Sequence, residues 1–205
     1  ISIGSILAFA AITIGFVFIH YPNTSLLMAL LITASVGTIM GLVNGIIVTR
    51  FNVHSIIVTL GTLSLYRGLV FIVSGGRQID RNDIPVHIIS FSQTSFLFSI
   101  PAILILSVII VLITHLIMRH SVLGREIYAT GSNPEAAHLK GINVTKVTLF
   151  CFGVCGMLAG VAGLFYASRF GYVNPGVTGV GIEFIVIAGV IIGGTSITGG
   201  SGSVL

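Results

Sequence analysis

Charged residues are scarce in this chain: only 7% of its 205 residues are Asp, Glu, Lys or Arg, against roughly 25% in ordinary soluble domains. Hydrophobic residues make up 55% and the mean hydropathy is +1.13, which excludes a soluble domain. Uncharged runs cover residues 1–49, 84–118, 147–168 and 184–205. Several exceed the roughly 20 residues that a spanning helix needs. Their continuity excludes an outer-membrane barrel, whose strands alternate apolar and polar residues, so we predict an all-α membrane protein.

Side chains for metal or redox chemistry are also sparse. Cys151 and Cys155 lie in an apolar stretch without a nearby His, Asp or Glu, so we assign both to packing rather than to a metal or a disulfide. The closest histidines, His115 and His120, are five residues apart, whereas one helical face needs a spacing of three or four. We therefore expect no metal site. No Ser/His/Asp or paired-Asp arrangement in the spans indicates hydrolysis, and we expect the chain not to be an enzyme.

The apolar segments predict a polytopic helical bundle. The predicted spans are 1–20, 25–48, 55–74, 95–118 and 147–168. A turn at 21–24, a loop at 75–94 and a link at 169–181 connect them, and we expect the short apolar segment 182–197 to be broken or re-entrant. Glycines repeat at a spacing of four, which favours close packing of helices; they are Gly37, Gly41 and Gly45, Gly156 and Gly160, and Gly189 and Gly193.

Basic residues set the expected orientation. The net charge is +4 without any Lys/Arg run, which excludes a nucleic-acid partner. Residues 119–146 are the longest polar stretch and must lie outside the hydrocarbon. If this stretch is cytoplasmic, one group of basic residues is inside (Arg50, Arg119, Arg125, Lys140 and Lys146) and a smaller group is outside (Arg77, Arg81 and Arg169). The positive-inside rule favours this orientation.

Within 119–146, residues 132–142 contain residues that favour the start and the end of a helix. Ser132 or Asn133 can cap a helix, Pro134 suits its first position, Glu135 complements its positive end and Gly141 permits a left-handed stop. The pattern predicts a helix of about two turns. Because so short a helix is marginal in water, it should pack either on its own bundle or on a partner protein.

Five stretches carry a resemblance to a known family. Ala129–Ala137 (ATGSNPEAA), with Gly141 four residues further on, resembles the coupling-loop motif of permease subunits from bacterial ATP-driven sugar importers. Four further stretches resemble the ribose-type permease family in order and spacing over nearly the whole chain: Ile1–Ser5, Ile57–Leu63, Tyr66–Gly68, and Ile192–Ser196 with Gly199–Ser203. Within that family, 61–68 and 128–131 are most similar to permeases for autoinducer-2, ahead of those for ribose and rhamnose.

The resemblance implies a permease of two inverted halves in the bacterial inner membrane. It would pair with a second copy or a homologue, with cytoplasmic ATPase subunits that bind ATP and Mg²⁺, and with a periplasmic substrate-binding protein. Residues 1–205 would form one transmembrane permease domain, a fragment truncated at both ends, with 119–146 as its coupling loop. The glycine-rich run 193–203 contains no Lys, so a phosphate-binding loop is lacking and no cofactor is expected in this chain.

Two sets of candidate site residues follow. The resemblance implies that the ATPase-coupling set is Glu135, Ala136, Ala137, Leu139, Gly141 and Ile142. Small and polar residues inside apolar spans suggest a translocation pathway of Asn44, Thr59, Gly61, Thr62, Ser64 and Thr195, although Ser and Thr often bond their own helix. Arg67 is expected to anchor structure by snorkelling or by binding carbonyls.

Three functional classes remain. The coupling loop favours an ATP-driven importer of a sugar or sugar-like solute of the autoinducer-2, ribose or rhamnose class. The alternative is an ion-coupled secondary transporter, which would usually carry carboxylates within its spans, and here only Glu183 approaches that. A passive channel has no feature in its favour beyond small residues.

Overall fold

The chain is described by a computed structural model that covers residues 1–93, 95–96, 100–196 and 199–202. The described residues leave out three positions at which predicted segments or motifs end: Thr94, Ile197 and Ser203. They also leave out residues 97–99 of the fourth predicted span. In chain order the elements are α1 (Ile3–His20), α2 (Leu26–Phe51), α3 (Ser55–Ser74), a 3₁₀ turn (Arg81–Asp83), α4 (Val86–Gln93), β1 (Ser95–Phe96), β2 (Ile100–Pro101), α5 (Ala102–His120), α6 (Val122–Ser132), α7 (Pro134–Leu139), α8 (Val144–Phe170) and α9 (Ile182–Ile192).

Five of these helices, α1, α2, α3, α5 and α8, are long and apolar enough to cross a membrane. The predicted polytopic bundle is therefore confirmed. Helix α9 has 11 residues, about 16 Å of helix, which is roughly half of a 30 Å hydrocarbon core. The expectation that the last apolar segment is short agrees with this length.

The segment between α3 and α5 is more structured than predicted. The loop expected at 75–94 contains the 3₁₀ turn and the whole of α4. In the turn, the side chains of Asp80 and Asp83 each accept a hydrogen bond from the backbone N–H of the other. The span expected from Ser95 begins instead at Ala102, because 95–101 includes the antiparallel pair β1–β2, in which Ser95 faces Pro101. Proline fixes φ and disfavours a helical residue before it, so the helix starts after Pro101.

Glycine contacts hold α2 against α8 over most of their length. A β-carbon on Gly37 would overlap the Gly156 carbonyl oxygen, and one on Gly156 would lie 2.8 Å from the Gly41 Cα. A β-carbon on Gly160 would overlap the Thr33 carbonyl oxygen. The predicted packing role is confirmed for the glycines of α2 and α8, since only residues without a side chain allow the two backbones to approach so closely. It is not found for Gly189 and Gly193 in the described residues: a β-carbon on Gly189 has nothing within 4 Å, and one on Gly193 meets only carbonyl oxygens of α9 itself.

Helix α1 lies at the centre of the bundle. Of its 18-residue apolar window, 61% is buried, against 39% for α8 and 0% for α5. Ile12, Ile14 and Phe18 of α1 are completely or almost completely buried and form one core with Val70 of α3 and Leu164 of α8. No residue of α5 is fully buried: Ile103, Leu106 and Ile110 are half-buried, while side chains such as Leu112 and Leu116 are exposed, as on a helix that lipid or another subunit covers.

The bundle has two distinct ends. Because α2 and α8 are antiparallel, Asn52 after α2 and Val144 at the start of α8 lie at one end, together with α6 and α7; we call this the α7 end. At the opposite end, the segments after α3 and α8 join through two backbone hydrogen bonds of 3.0 and 2.9 Å between Ile79 and Val173. The basic residues predicted to lie inside and those predicted to lie outside are therefore at opposite ends of the bundle.

We predict that Gly156→Ala lowers the melting temperature of the full-length protein in lipid nanodiscs by several degrees. The added methyl group forces α2 and α8 apart, and overpacking of this kind costs about 1–3 kcal/mol. Gly68→Ala is the matched control, because a β-carbon there has nothing within 4 Å. Equal melting temperatures for the two variants would contradict the described α2–α8 contact.

Candidate functional site

Helix α7 is a short capped helix outside the spans. The Asn133 side chain accepts a hydrogen bond of 3.0 Å from the Ala136 backbone N–H, and Pro134 occupies the first turn. Of the two predicted caps, Asn133 is therefore the one used. The helix ends at Leu139, Gly141 then adopts a left-handed conformation with φ +83°, and the Ile142 N–H donates back to the Ala137 carbonyl oxygen at 3.1 Å. With six residues, α7 is slightly shorter than the two turns predicted.

The coupling set divides between the bundle and the surface. Ala137 is 3% exposed and Ile142 is half-buried, so these two side chains pack α7 against its own chain. Glu135 and Ala136 are exposed, and Leu139 is 88% exposed. Leu139 is thus an apolar side chain left exposed on a polar segment. Of the two packing alternatives, the first accounts for one face of α7 and leaves the other open.

A glycine loop, residues 199–202, packs on the last turn of α6. The Tyr128 hydroxyl donates to the Gly202 carbonyl oxygen at 2.9 Å. A β-carbon on Gly131 would lie 2.8 Å from the Gly200 nitrogen, and one on Gly199 would lie 2.7 Å from the Gly131 carbonyl oxygen. Two motifs about 70 residues apart thus meet backbone to backbone, immediately before the Asn133 cap of α7. The motifs are visible in the sequence, but their contact is not.

Arg67 anchors the link 171–181 by binding its carbonyl groups. Its Nη1 donates to the Thr178 carbonyl oxygen at 2.6 Å and to that of Pro175 at 3.4 Å. The expectation that Arg67 binds carbonyls is confirmed. Arg67 lies seven residues before the end of α3, about 10 Å along the helix, so the link folds back alongside α3. The Asn174 side chain closes a turn by accepting from the Gly176 N–H at 2.8 Å.

The link ends in a close contact with α1, at the point where α9 begins. Gly179, with φ +76°, lies so close to Gly4 that a β-carbon on either would overlap the other's carbonyl oxygen. In the first turn of α9, Glu183 is 7% exposed, and its Oε2 lies against Gly4 without a hydrogen-bond partner. Helix α9 is thus entered through irregular backbone that is buried at Thr178 and Gly179 and exposed at Val177 and Val180. The broken or re-entrant path expected for 182–197 stays a prediction.

A buried polar cluster neighbours this contact. The Asn44 side chain donates to the Ser2 hydroxyl at 2.9 Å and accepts from the Tyr66 hydroxyl at 3.0 Å. The same hydroxyl lies 2.9 Å from the Met40 carbonyl oxygen. These bonds join Ser2, the residue that precedes α1, to α2 and α3. Neither Ser2 nor Tyr66 was among the sequence candidates. For Tyr66, the available signal was its position beside Arg67 in an apolar span.

The pathway candidates lie in several different places. Asn44 belongs to the buried cluster, while the Thr59 and Thr62 hydroxyls donate to carbonyls of their own helix at 2.8 and 3.4 Å. Gly61 and Ser64 are exposed on the other side of α3. Thr195 is half-buried beyond the end of α9, against Gly202. The described structure does not bring the six to one cavity, and the pathway assignment stays a prediction.

Comparison with known proteins identifies relatives over the whole chain. Residues 1–203 match the family described as branched-chain amino acid transport system / permease component. The chain is 36% identical over all 205 residues to the autoinducer 2 import system permease protein LsrC of Yersinia pseudotuberculosis serotype O:3 (strain YPIII). It is equally similar to the protein of the same name from Yersinia pestis (strain Pestoides F).

The match covers the whole of this chain but only part of each relative. The chain spans 57% of the length of these curated relatives. No solved structure matches. The five apolar helices and the family match make it a multi-pass membrane transport protein. It belongs to the family of permease components of branched-chain amino acid transport systems.

Proposed function

We propose that this chain is the membrane-spanning permease of an ATP-driven importer that carries a sugar-like solute inward across the bacterial inner membrane. The observation that carries the proposal is the 36% identity over the whole chain to permeases of autoinducer 2 import systems. The family description names branched-chain amino acids instead. We favour a solute of the autoinducer-2, ribose or rhamnose class, because the individual relatives are autoinducer 2 permeases and an individual relative is more specific than a family description.

Helix α7 is the proposed docking element for cytoplasmic ATPase subunits, which would bind ATP and Mg²⁺. Its exposed Leu139 and Glu135 offer an apolar and an acidic contact beyond the ends of the spans. The basic residues support a cytoplasmic location, since five of them lie at the α7 end and three at the opposite end. A periplasmic substrate-binding protein would then approach the opposite end, near the Ile79–Val173 pairing.

The remaining proposed partner is a second permease copy or a homologue, in a protein of two inverted halves. Helices α3, α5 and α9 carry large apolar side chains that the described residues leave open, among them Ile72, Leu112 and Ile192. Lipid can cover part of this surface. The remainder of a longer permease chain or a second subunit would cover the rest.

The proposed coupling route runs from α7 through the last turn of α6 to the glycine loop and α9. Gly131 meets Gly199 and Gly200 without intervening side chains, so a displacement of α6 is passed on by backbone contact. The hydrogen bond from Tyr128 to Gly202 holds the loop in place. Movement of the ATPases would therefore shift α9 relative to α1 and open the bundle.

The primary test is purification of the tagged full-length protein from its native membrane. We expect an ATPase with a phosphate-binding loop to co-purify, and vesicles containing the complex to accumulate one of labelled autoinducer-2, ribose or rhamnose. Accumulation of leucine alone would assign the amino-acid solute that the family description names. A stable preparation without an ATPase, with uptake driven by an ion gradient, would instead establish the secondary transporter.

For docking, we predict that Leu139→Arg abolishes ATPase co-purification and lowers uptake at least about tenfold. The substitution places a charge where an apolar contact is expected, while the exposed position leaves folding intact. Ala137→Arg should also uncouple transport, but its buried position requires the melting temperature as a second readout. Val122→Arg, 60% exposed on α6, is the control. Normal co-purification with Leu139→Arg would contradict docking through α7.

For the coupling route, we predict that Gly131→Ala leaves the ATPase bound but lowers uptake roughly tenfold. The added methyl group would lie 2.8 Å from the Gly200 nitrogen and displace the glycine loop. Glu126→Gln on the same helix is the control. Simultaneous measurement of ATP hydrolysis and uptake distinguishes uncoupling from loss of assembly. Unchanged uptake per ATP hydrolysed would exclude this route.

A further inference from the structure

Glu183 has an unmet hydrogen-bonding requirement inside the bundle. Its side chain is 7% exposed and its Oε2 has no partner. A buried acceptor without a donor costs about 1–3 kcal/mol, and more when it is charged. Ionisable side chains within membrane spans are costly and are usually found at functional positions.

The negative charge of Glu183 is already partly compensated. Glu183 lies in the first turn of α9, where the positive end of the helix dipole favours a carboxylate. Arg67 lies nearby, because it binds the Thr178 carbonyl oxygen and the next residue, Gly179, packs with Glu183 against Gly4. The two side chains form no ion pair in the described part of the chain. A further cation is therefore not what Oε2 lacks. It lacks a hydrogen-bond donor.

The surroundings of Glu183 also supply hydrogen bonds for a polar molecule. Arg67 presents five N–H donors in total, and its described bonds to the link come from Nη1 alone. The link 171–181 is irregular backbone that is buried at Pro175, Thr178 and Gly179. Such backbone is tolerated in membrane proteins where it is buried or lines a cavity. Gly179 and Gly4 add no side chains, so the backbone itself forms the surface beside Glu183.

Resting on the proposed function, we propose that Glu183 and Arg67 form a binding site for an uncharged, hydroxyl-bearing solute between α1, α3 and α9. A solute hydroxyl donates to Glu183 Oε2, and a second solute oxygen accepts from the Arg67 guanidinium. In the described state Gly4 closes the site. Displacement of α9 through the glycine loop at its other end would uncover the carboxylate, so the site would open in step with the coupling helix.

The test measures solute binding directly, apart from ATP hydrolysis. The full-length permease–ATPase complex in nanodiscs, without binding protein, is titrated with D-ribose, L-rhamnose and autoinducer-2 and followed by saturation-transfer NMR. We expect at least one of these compounds to bind. Glu183→Gln, which keeps the size of the side chain, should weaken its binding roughly 10- to 100-fold, the effect of losing a hydrogen bond to a charged group. Arg67→Lys should weaken it as well.

Glu126→Gln is the matched control and should bind like the wild type. Melting temperature and ATPase co-purification are measured for every variant, so that loss of binding with both unchanged supports the site. Wild-type binding by Glu183→Gln would overturn it. The proposal would also be overturned if Glu183→Gln changed only the pH dependence of uptake and not solute binding, because Glu183 would then be a proton site. If the wild type accumulates a solute but shows no binding, only the site is overturned. If it accumulates none of them and lacks an ATPase, the proposed function is overturned too.

Discussion

Backbone hydrogen bonding in an apolar medium is the constraint on which the rest of this structure depends. Helices satisfy their own N–H and C=O groups, and five long ones provide most of the fold. The link 171–181 is not helical, and its carbonyl groups need donors within the protein. Arg67 provides them for Pro175 and Thr178, and Asn174 closes the turn beside it. The position of α9, and hence that of Glu183, follows from this arrangement.

Close backbone contacts connect the two ends of α9 to the rest of the bundle. At its start, Gly179 meets Gly4 of α1, and beyond its end the glycine loop meets Gly131 of α6. By contrast, α2 and α8 contact each other directly through their own glycines. A short helix held at both ends is suited to move as a unit. This geometry links the proposed docking helix to the proposed solute site.

Features governed by local sequence could be predicted, whereas those governed by distant contacts could not. Apolar runs gave the five spans, and the sequence around Pro134 and Gly141 gave α7, since caps and stops act over a few residues. Helix α4 was missed because its eight residues lie in a stretch of mixed polarity. The Ser2–Asn44–Tyr66 cluster and the contact of Gly131 with Gly200 join residues more than 20 positions apart, which spacing alone does not indicate.

The energy source of transport distinguishes an ATP-driven importer from an ion-coupled transporter most sharply. Inside-out membrane vesicles containing the full-length protein and its partners would be preloaded with labelled solute and binding protein, and release would be followed with and without ATP. ATP-driven import into the cytoplasm appears here as release from the vesicle lumen. We expect release that requires ATP and persists when ionophores collapse the proton and sodium gradients. Release that follows an ion gradient and ignores ATP would contradict it.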